Sequence, residues 1–127
     1  MKNPDDLSYS PQHVWVKKTD DGSFLAGITH FAQDALGDIV FVELPAIGQS
    51  LQTGQPCGLL ESVKTGSDLY APLDGIVEAI NQAVSETPEL INDTPYKSWI
   101  FKFKATNPAD MATLLSAEAY SAQIGND

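Results

Sequence analysis

The chain has 127 residues, 43% of them hydrophobic and 19% charged, which suits one globular domain over 1–127 burying roughly two-thirds of its surface and leaves no room for a second. The formal net charge is -10 and every basic residue is a lysine, so a phosphate-rich partner meets a repulsive field and nucleic-acid binding is not expected. An acidic surface of this kind instead favours solubility and docking onto basic patches of other proteins.

From the N-terminus, Met1-Lys2-Asn3-Pro4-Asp5-Asp6 lacks the apolar core of a signal peptide. No run approaches the ~20 apolar residues of a membrane span. No membrane association is expected, and the chain should stay in the compartment where it is made. Val14-Trp15-Val16-Lys17 reads as a strand, Asp20-Asp21-Gly22 as a turn and Phe24 to Ile28 as the returning strand. Thr29 is a fitting N-cap for a short helix through Leu36, stopped by Gly37. The unbroken apolar run Ile39-Val40-Phe41-Val42 predicts a strand buried on both sides or nearly so, ended by Pro45 and Gly48.

A turn at Thr53-Gly54-Gln55-Pro56 leads into a hairpin spanning about 57–72, and Gly75 to Ile80 follows as the next strand. The polar, proline-containing stretch from Ser85 to Pro95 reads as a surface loop, with one helical turn at Glu89-Leu90-Ile91. Trp99 to Lys104 alternates aromatic and wet positions as a strand with one solvent-facing side would. Asn107-Pro108-Ala109-Asp110 supplies a cap, a proline at the first helical position and an early carboxylate, predicting a C-terminal helix from about 108 to Leu115; Ser116 would cap a second short turn carrying Tyr120.

Few residues can carry chemistry. Cys57 is the lone cysteine, so no internal disulfide or Cys-x-x-Cys motif exists, and its place in Pro56-Cys57-Gly58-Leu59-Leu60 fits a buried strand residue. With His13 and His30 the only histidines, a Cys/His zinc set is out of reach and no metal site is expected. Lys64 is different. A lysine in a surface turn is ordinarily a solvated charge, but this one sits at the tip of a hairpin pinned by Leu59, Leu60 and Val63 before it and Leu69 and Tyr70 after it, closed by Pro72-Leu73-Asp74-Gly75. Such a hairpin holds the backbone still while the amine stays free, as a modifying enzyme requires. A free lysine has a pKa of about 10.4, so that enzyme must help deprotonate it.

The segment Glu61-Ser62-Val63-Lys64-Thr65-Gly66-Ser67-Asp68 with the later Pro72-x-x-Gly75 resembles the lipoyl-attachment segment of the glycine cleavage H proteins. The resemblance extends over nearly the whole chain. It takes in Tyr9-Ser10 with His13 and Trp15, Gly27-Ile28-Thr29, Ala32-Gln33, Leu36-Gly37-Asp38, Val40 to Pro45, Pro88 to Asn92, Pro95-Tyr96 and Trp99 to Lys102. Biotin carriers usually place the lysine between two methionines, and 2-oxoacid dehydrogenase lipoyl domains usually read Asp-Lys-Ala; Val63-Lys64-Thr65 matches neither.

The resemblance implies a mainly β fold, a flattened barrel-sandwich of the biotinyl and lipoyl carriers with a short internal helix and a C-terminal helix. It implies lipoic acid in amide linkage on Lys64, with Glu61, Ser62, Val63, Ser67 and Asp68 presenting the hairpin to the lipoyl-attaching enzymes. The carrier, no enzyme itself, would take an aminomethyl group from a pyridoxal-phosphate glycine decarboxylase to a folate-dependent aminomethyltransferase, and then be reoxidised by a dihydrolipoyl dehydrogenase. A monomer in a bacterial cytoplasm is expected. Tethering keeps the carried group at high effective concentration at each docked partner.

Departures from the family pattern fall in the cleft that shelters the arm. The family usually reads His-Glu-Trp where this chain has His13-Val14-Trp15, and has a histidine directly before Ala-Gln where this chain has Phe31, with His30 one residue earlier. A protonated amine there loses a charge partner, at a cost on the order of 1–3 kcal/mol if partly buried. A shift of one residue turns a helical side chain by about 100°, which stands against substitution by His30. Between Tyr96 and Trp99 the family usually has one more residue, so Lys97-Ser98 must turn more tightly. These changes leave two alternatives open: an H-like carrier relaying lipoyl or octanoyl groups to other lipoyl proteins, or a degenerate, unmodified interaction module.

Overall fold

The computed structural model describes residues 3–125; Met1 and Lys2, which open the leader reading above, lie outside it. Nine strands form two antiparallel sheets. Ser8–Tyr9 (β1), Val14–Lys18 (β2) and Phe24–Ile28 (β3) start a six-stranded sheet, completed by Ser50–Leu51 (β5), Gly75–Ile80 (β8) and Phe101–Ala105 (β9) in the order β1-β2-β3-β9-β8-β5. Ile39–Glu43 (β4), Pro56–Ser62 (β6) and Gly66–Tyr70 (β7) form the second sheet in the order β4-β6-β7. The architecture is mainly β with short helices, as expected, although the sheets do not close into a barrel.

The main core lies between the sheets, where Val16, Phe24, Ala26 and Phe103 meet Val42, Leu60 and Leu69. Alternation sends Val14 and Val16 of β2 into this core and Trp15 to the opposite face, before Lys17 and Lys18 are exposed at the turn. A second, aromatic cluster on the outer face of β1 and β2 joins Leu7, Tyr9 and Trp15 to Ala117 and Tyr120. Tyr9 stacks flat on Tyr120 with centroids 4.8 Å apart.

The helix His30–Leu36 (α1) follows β3 directly. Thr29 is its N-cap, its hydroxyl accepting from the Ala32 N–H, and Gly37 terminates it at φ 84°, a conformation that favours glycine. Asn92 ties the far end of α1 to β4: its amide donates to the Gln33 side chain and the Gly37 carbonyl, and its oxygen accepts from the Ile39 N–H.

Four features depart from the sequence reading. The run Ile39 to Val42 is not buried on both sides, because a register shift between Ile39 and Phe41 turns Val40 and Phe41 both outward, 57% and 47% exposed. The stretch read as loop from Ser85 begins inside a helix, Gln82–Glu86 (α2), capped by Asn81 and sealed by Val84; Glu89–Asp93 (α3) follows, longer than one turn. Ile100, placed on the wet face, is fully buried, while Lys102 and Lys104 keep the expected side. The C-terminal helix does not run from 108. Pro108–Thr113 is a 3-10 helix, and the α-helix is Ala117–Gln123 (α4), with Ser116 as N-cap and Tyr120 buried at its centre.

Lys97-Ser98 makes the tight turn by borrowing from the preceding helix. The Lys97 and Ser98 N–H groups both donate to the Thr94 carbonyl, and the Ser98 hydroxyl donates to Leu90 at 2.8 Å.

Candidate functional site

Strands β6 and β7 meet at a turn whose geometry is set by Ser62. Its N–H donates to the Thr65 carbonyl at 2.7 Å, and its hydroxyl accepts from the Thr65 and Lys64 N–H groups at 3.1 and 3.3 Å. The serine thus supplies locally what the ladder cannot reach at its end. The Val63 N–H donates to the Asp38 carbonyl at 3.0 Å, pinning the other flank of the tip to the strand beside it. Val63, Lys64 and Thr65 are exposed, Val63 by 71%.

Lys64 is not adrift in solvent. Its Cε lies 3.5 Å from where a Cβ on Gly37 would stand, so the lysine stem runs over the bare backbone at the carboxyl end of α1. Glu61 and Asp68 flank the tip, both exposed, while Ser67 is half-buried.

Beside this hairpin opens a cavity of about 440 Å³. Three segments distant in sequence wall it: Pro11 to Val14 with Ile28, the face of α1 carrying Phe31, Ala32, Ala35 and Leu36, and Leu60 with Thr65 to Tyr70 of the hairpin. Its surface is mostly apolar, as small-molecule sites are, with a few polar groups at its edges. Of the residues singled out from sequence, the fold brings His13, Val14, Phe31, Ser67 and Asp68 to this cavity. His30 is not among its lining residues. Its Nδ1 pairs with the Gln33 amide at 3.0 Å, one helical step away from the face Phe31 presents, and its own N–H donates to the Tyr96 hydroxyl. Lys64, Glu61, Ser62 and Val63 are likewise not among the cavity's lining residues.

Val14, where a carboxylate would be expected, is buried against the main core. His13 is the polar side chain the sequence reading left without a role in detail. It adopts φ 70°, the one positive value on a described non-glycine residue. That turn folds its ring under Phe31, centroids 4.9 Å apart, and edge-on to Tyr120 at 5.7 Å. Its Nδ1 lies 2.7 Å from the Tyr120 hydroxyl, which lies 2.8 Å from the Thr29 hydroxyl. Burial holds the His13 pKa below its ordinary value and pushes the Tyr120 phenol up to about 12, so both are neutral at pH 7. The one sign of this triad in the sequence was the serine cap that places Tyr120 in a helix.

Cys57 is buried, its thiol pushed up to about 12 by desolvation, and cannot serve as a nucleophile in that state. Among the described residues no cluster of metal-ligating side chains occurs, and no helix is long and apolar enough to cross a membrane.

Comparison with known proteins agrees with this geometry. The family model described as glycine cleavage H-protein matches residues 7–127. A glycine cleavage system H protein of Methylobacillus flagellatus is 57% identical over 126 residues, covering 98% of this chain and all of that one. The H protein 2 of Pseudomonas aeruginosa is 49% identical over 121 residues, covering 95% of this chain and 94% of its own. A crystal structure of an H protein from Mycobacterium marinum superposes with a TM-score of 0.88 at 39% identity, over 97% of this chain and 99% of that one. A lysine presented on a bonded hairpin, a cavity walled by the same hairpin, and near full-length similarity place this chain in the glycine cleavage H-protein family.

Proposed function

We propose that this chain is the lipoyl-bearing shuttle of a glycine cleavage system, with Lys64 as the attachment point and the cavity beside it as the resting place of the arm. The observation that carries this reading is the junction of an exposed lysine at a fixed tip with an apolar cavity built partly from that same tip. A lipoyl group is a short hydrocarbon chain ending in a cyclic disulfide, and walls such as Ile28, Phe31, Leu36 and Leu69 suit it in polarity. When bound, that group supplies the redox and one-carbon-carrying chemistry, and the protein supplies binding and orientation.

The chain's own residues present and shelter. Ser62 and the Asp38 carbonyl hold the backbone on either side of Lys64, while the lysine stem rests over Gly37 at the end of α1. Glu61 and Asp68 offer a negative collar to the lipoyl-attaching enzymes. The same face would dock in turn on a pyridoxal-phosphate glycine decarboxylase, a folate-dependent aminomethyltransferase and a dihydrolipoyl dehydrogenase. One observation favours a second reading, a lipoyl or octanoyl relay to other carriers: Val14 and Phe31 leave these two wall positions apolar, where a cationic load would want a charge partner.

The test is the intact mass of the protein from its own host, with peptide mapping across Glu61 to Tyr70 and a Lys64→Arg control. A lipoyl adduct on Lys64, absent in K64R, is expected. An octanoyl adduct alone favours the relay, and an unmodified lysine in a host that lipoylates other carriers overturns both in favour of an unmodified interaction module.

A further inference from the structure

His13 lines the cavity from the segment Pro11 to Val14, a wall separate from the hairpin that carries Lys64. The Lys64 stem crosses α1 at Gly37, and Phe31, whose ring covers His13, stands six residues earlier, a rise of about 9 Å along a helix. An arm rooted at Lys64 and laid along α1 therefore brings its distal end to His13.

The tautomer of that histidine follows from its partners. Thr29 is fully buried, and its hydroxyl oxygen already accepts from the Ala32 N–H at 3.2 Å. Its own proton has one acceptor within reach, the Tyr120 oxygen. Tyr120 is equally buried, so its proton must go to the remaining neighbour, Nδ1 of His13. The opposite order, Nδ1–H to Tyr120 and Tyr120 to Thr29, would leave the Thr29 proton without an acceptor in this cluster. Nδ1 is thus an acceptor facing the interior, and in the neutral ring the proton resides on Nε2. The N–H and lone-pair directions of an imidazole diverge, so Nε2–H is turned away from the buried tyrosine, toward the cavity that the half-buried ring lines.

We propose that His13, locked as its Nε2–H tautomer by the Thr29 and Tyr120 hydroxyls, is the hydrogen-bond donor that the cavity offers to the distal sulfur of the tethered arm. This rests on the reading of the cavity as the arm's resting place. The acceptor class is sulfur, as an uncharged thiol or disulfide, because the donor is uncharged and apolar walls disfavour a bare thiolate, as burial does at Cys57. A fixed donor with no lone pair to offer is a poor host for an ammonium group. His13 is thereby a positioning residue for the sulfur end and not a replacement for the missing carboxylate.

Long-range proton–nitrogen correlation spectra of histidine-labelled protein test this, since His13 and His30 give the only ring signals and His30→Gln assigns them. In the unmodified protein at pH 7 the expected pattern for His13 is a protonated Nε2 and a bare Nδ1; a protonated Nδ1 overturns the proposal. Tyr120→Phe, which keeps the ring stack on Tyr9, should release the lock and mix the two tautomers, whereas an unchanged pattern counts against the relay. The protein is then lipoylated and chemically reduced, while the methyl signals of Ile28 and Leu69 report the arm's position. Movement of both the methyls and the His13 Nε2 signal is expected. Methyl shifts without an Nε2 shift overturn the proposal alone, leaving the arm in the cavity. No shift in either defeats the resting-place reading, and the proposal with it.

Discussion

Single side chains in this fold carry consequences that can be measured. A Cβ on Gly27 would stand 2.7 Å from the Trp15 indole, whose Nε1–H is committed to the Pro95 carbonyl at 3.0 Å. Gly27→Ala should therefore cost about 1–3 kcal/mol by overpacking, read as a lowered urea midpoint with altered tryptophan emission. His13 predicts a pH dependence. Its pKa is lowered in the fold by burial, so the folded chain resists a proton that the unfolded chain accepts at about 6.5. The stability this contributes is complete above pH 6.5 and is lost as pH falls through the lowered folded value. Denaturant midpoints at pH 7 and 5.5 should fall less for His13→Gln than for the parent, and equal falls would remove the attribution. Both histidines were legible as cleft candidates, and the helical step that stood against His30 in the sequence does turn it away from the cavity. The positive φ of His13 follows from a turn that composition does not announce.

At the scale of elements, the hairpin is the clearest unit. Ser62→Ala removes the acceptor for two N–H groups at the tip while leaving the strands paired. Lipoyl attachment should slow several-fold while global stability changes by about 1 kcal/mol or less, since exposed turn groups recover water; attachment at the parental rate would show that the enzyme reshapes the tip itself. Asn92→Ala should be costlier, about 2–3 kcal/mol, because it strands the partly buried Ile39 N–H and Gly37 carbonyl together. Thermal unfolding of the two variants should separate clearly. The elements themselves were read from sequence where a cap and a period coincided, as at Thr29 and along β2 and β3. They were misread where one signal stood without the other or where pairing drew the chain elsewhere. The Asn107-Pro108 start was real and Met111, Leu114 and Leu115 keep helical spacing, but Leu115 is drawn into a bridge with Tyr9 and the segment closes as a 3-10 helix; α2, with a single buried residue, lacked the pattern altogether. The apolar run in β4 concealed a bulge, which only pairing with β6 creates.

For the molecule as a whole, charge and closure matter most. With a net charge of -10, and Glu61 and Asp68 beside the exposed lysine, encounter with an attaching enzyme should be steered by opposite charge. The association rate should fall with added salt, and Glu61→Lys or Asp68→Lys should slow attachment without unfolding the domain. Rates independent of both would reduce the collar to simple solvation. The cavity was legible only through the family resemblance, which named His13, Val14 and Phe31, because its walls come from residues 11–14, 28–36 and 60–70 and no local pattern relates them.

Tyr120 adds a point about time. Synthesis proceeds from the N-terminus, and the hairpin with its β4 neighbour is complete by Tyr70, whereas the anchor of His13 emerges fifty residues later, with α4. Domains generally fold as units, yet the residues of the handle on this carrier are synthesised before the anchor of its shelter exists. Stalled chains ending before Ser116 that accept a lipoyl group, while their His13 ring shows mixed tautomers, would show that modification and protection are separable stages in the making of one small protein.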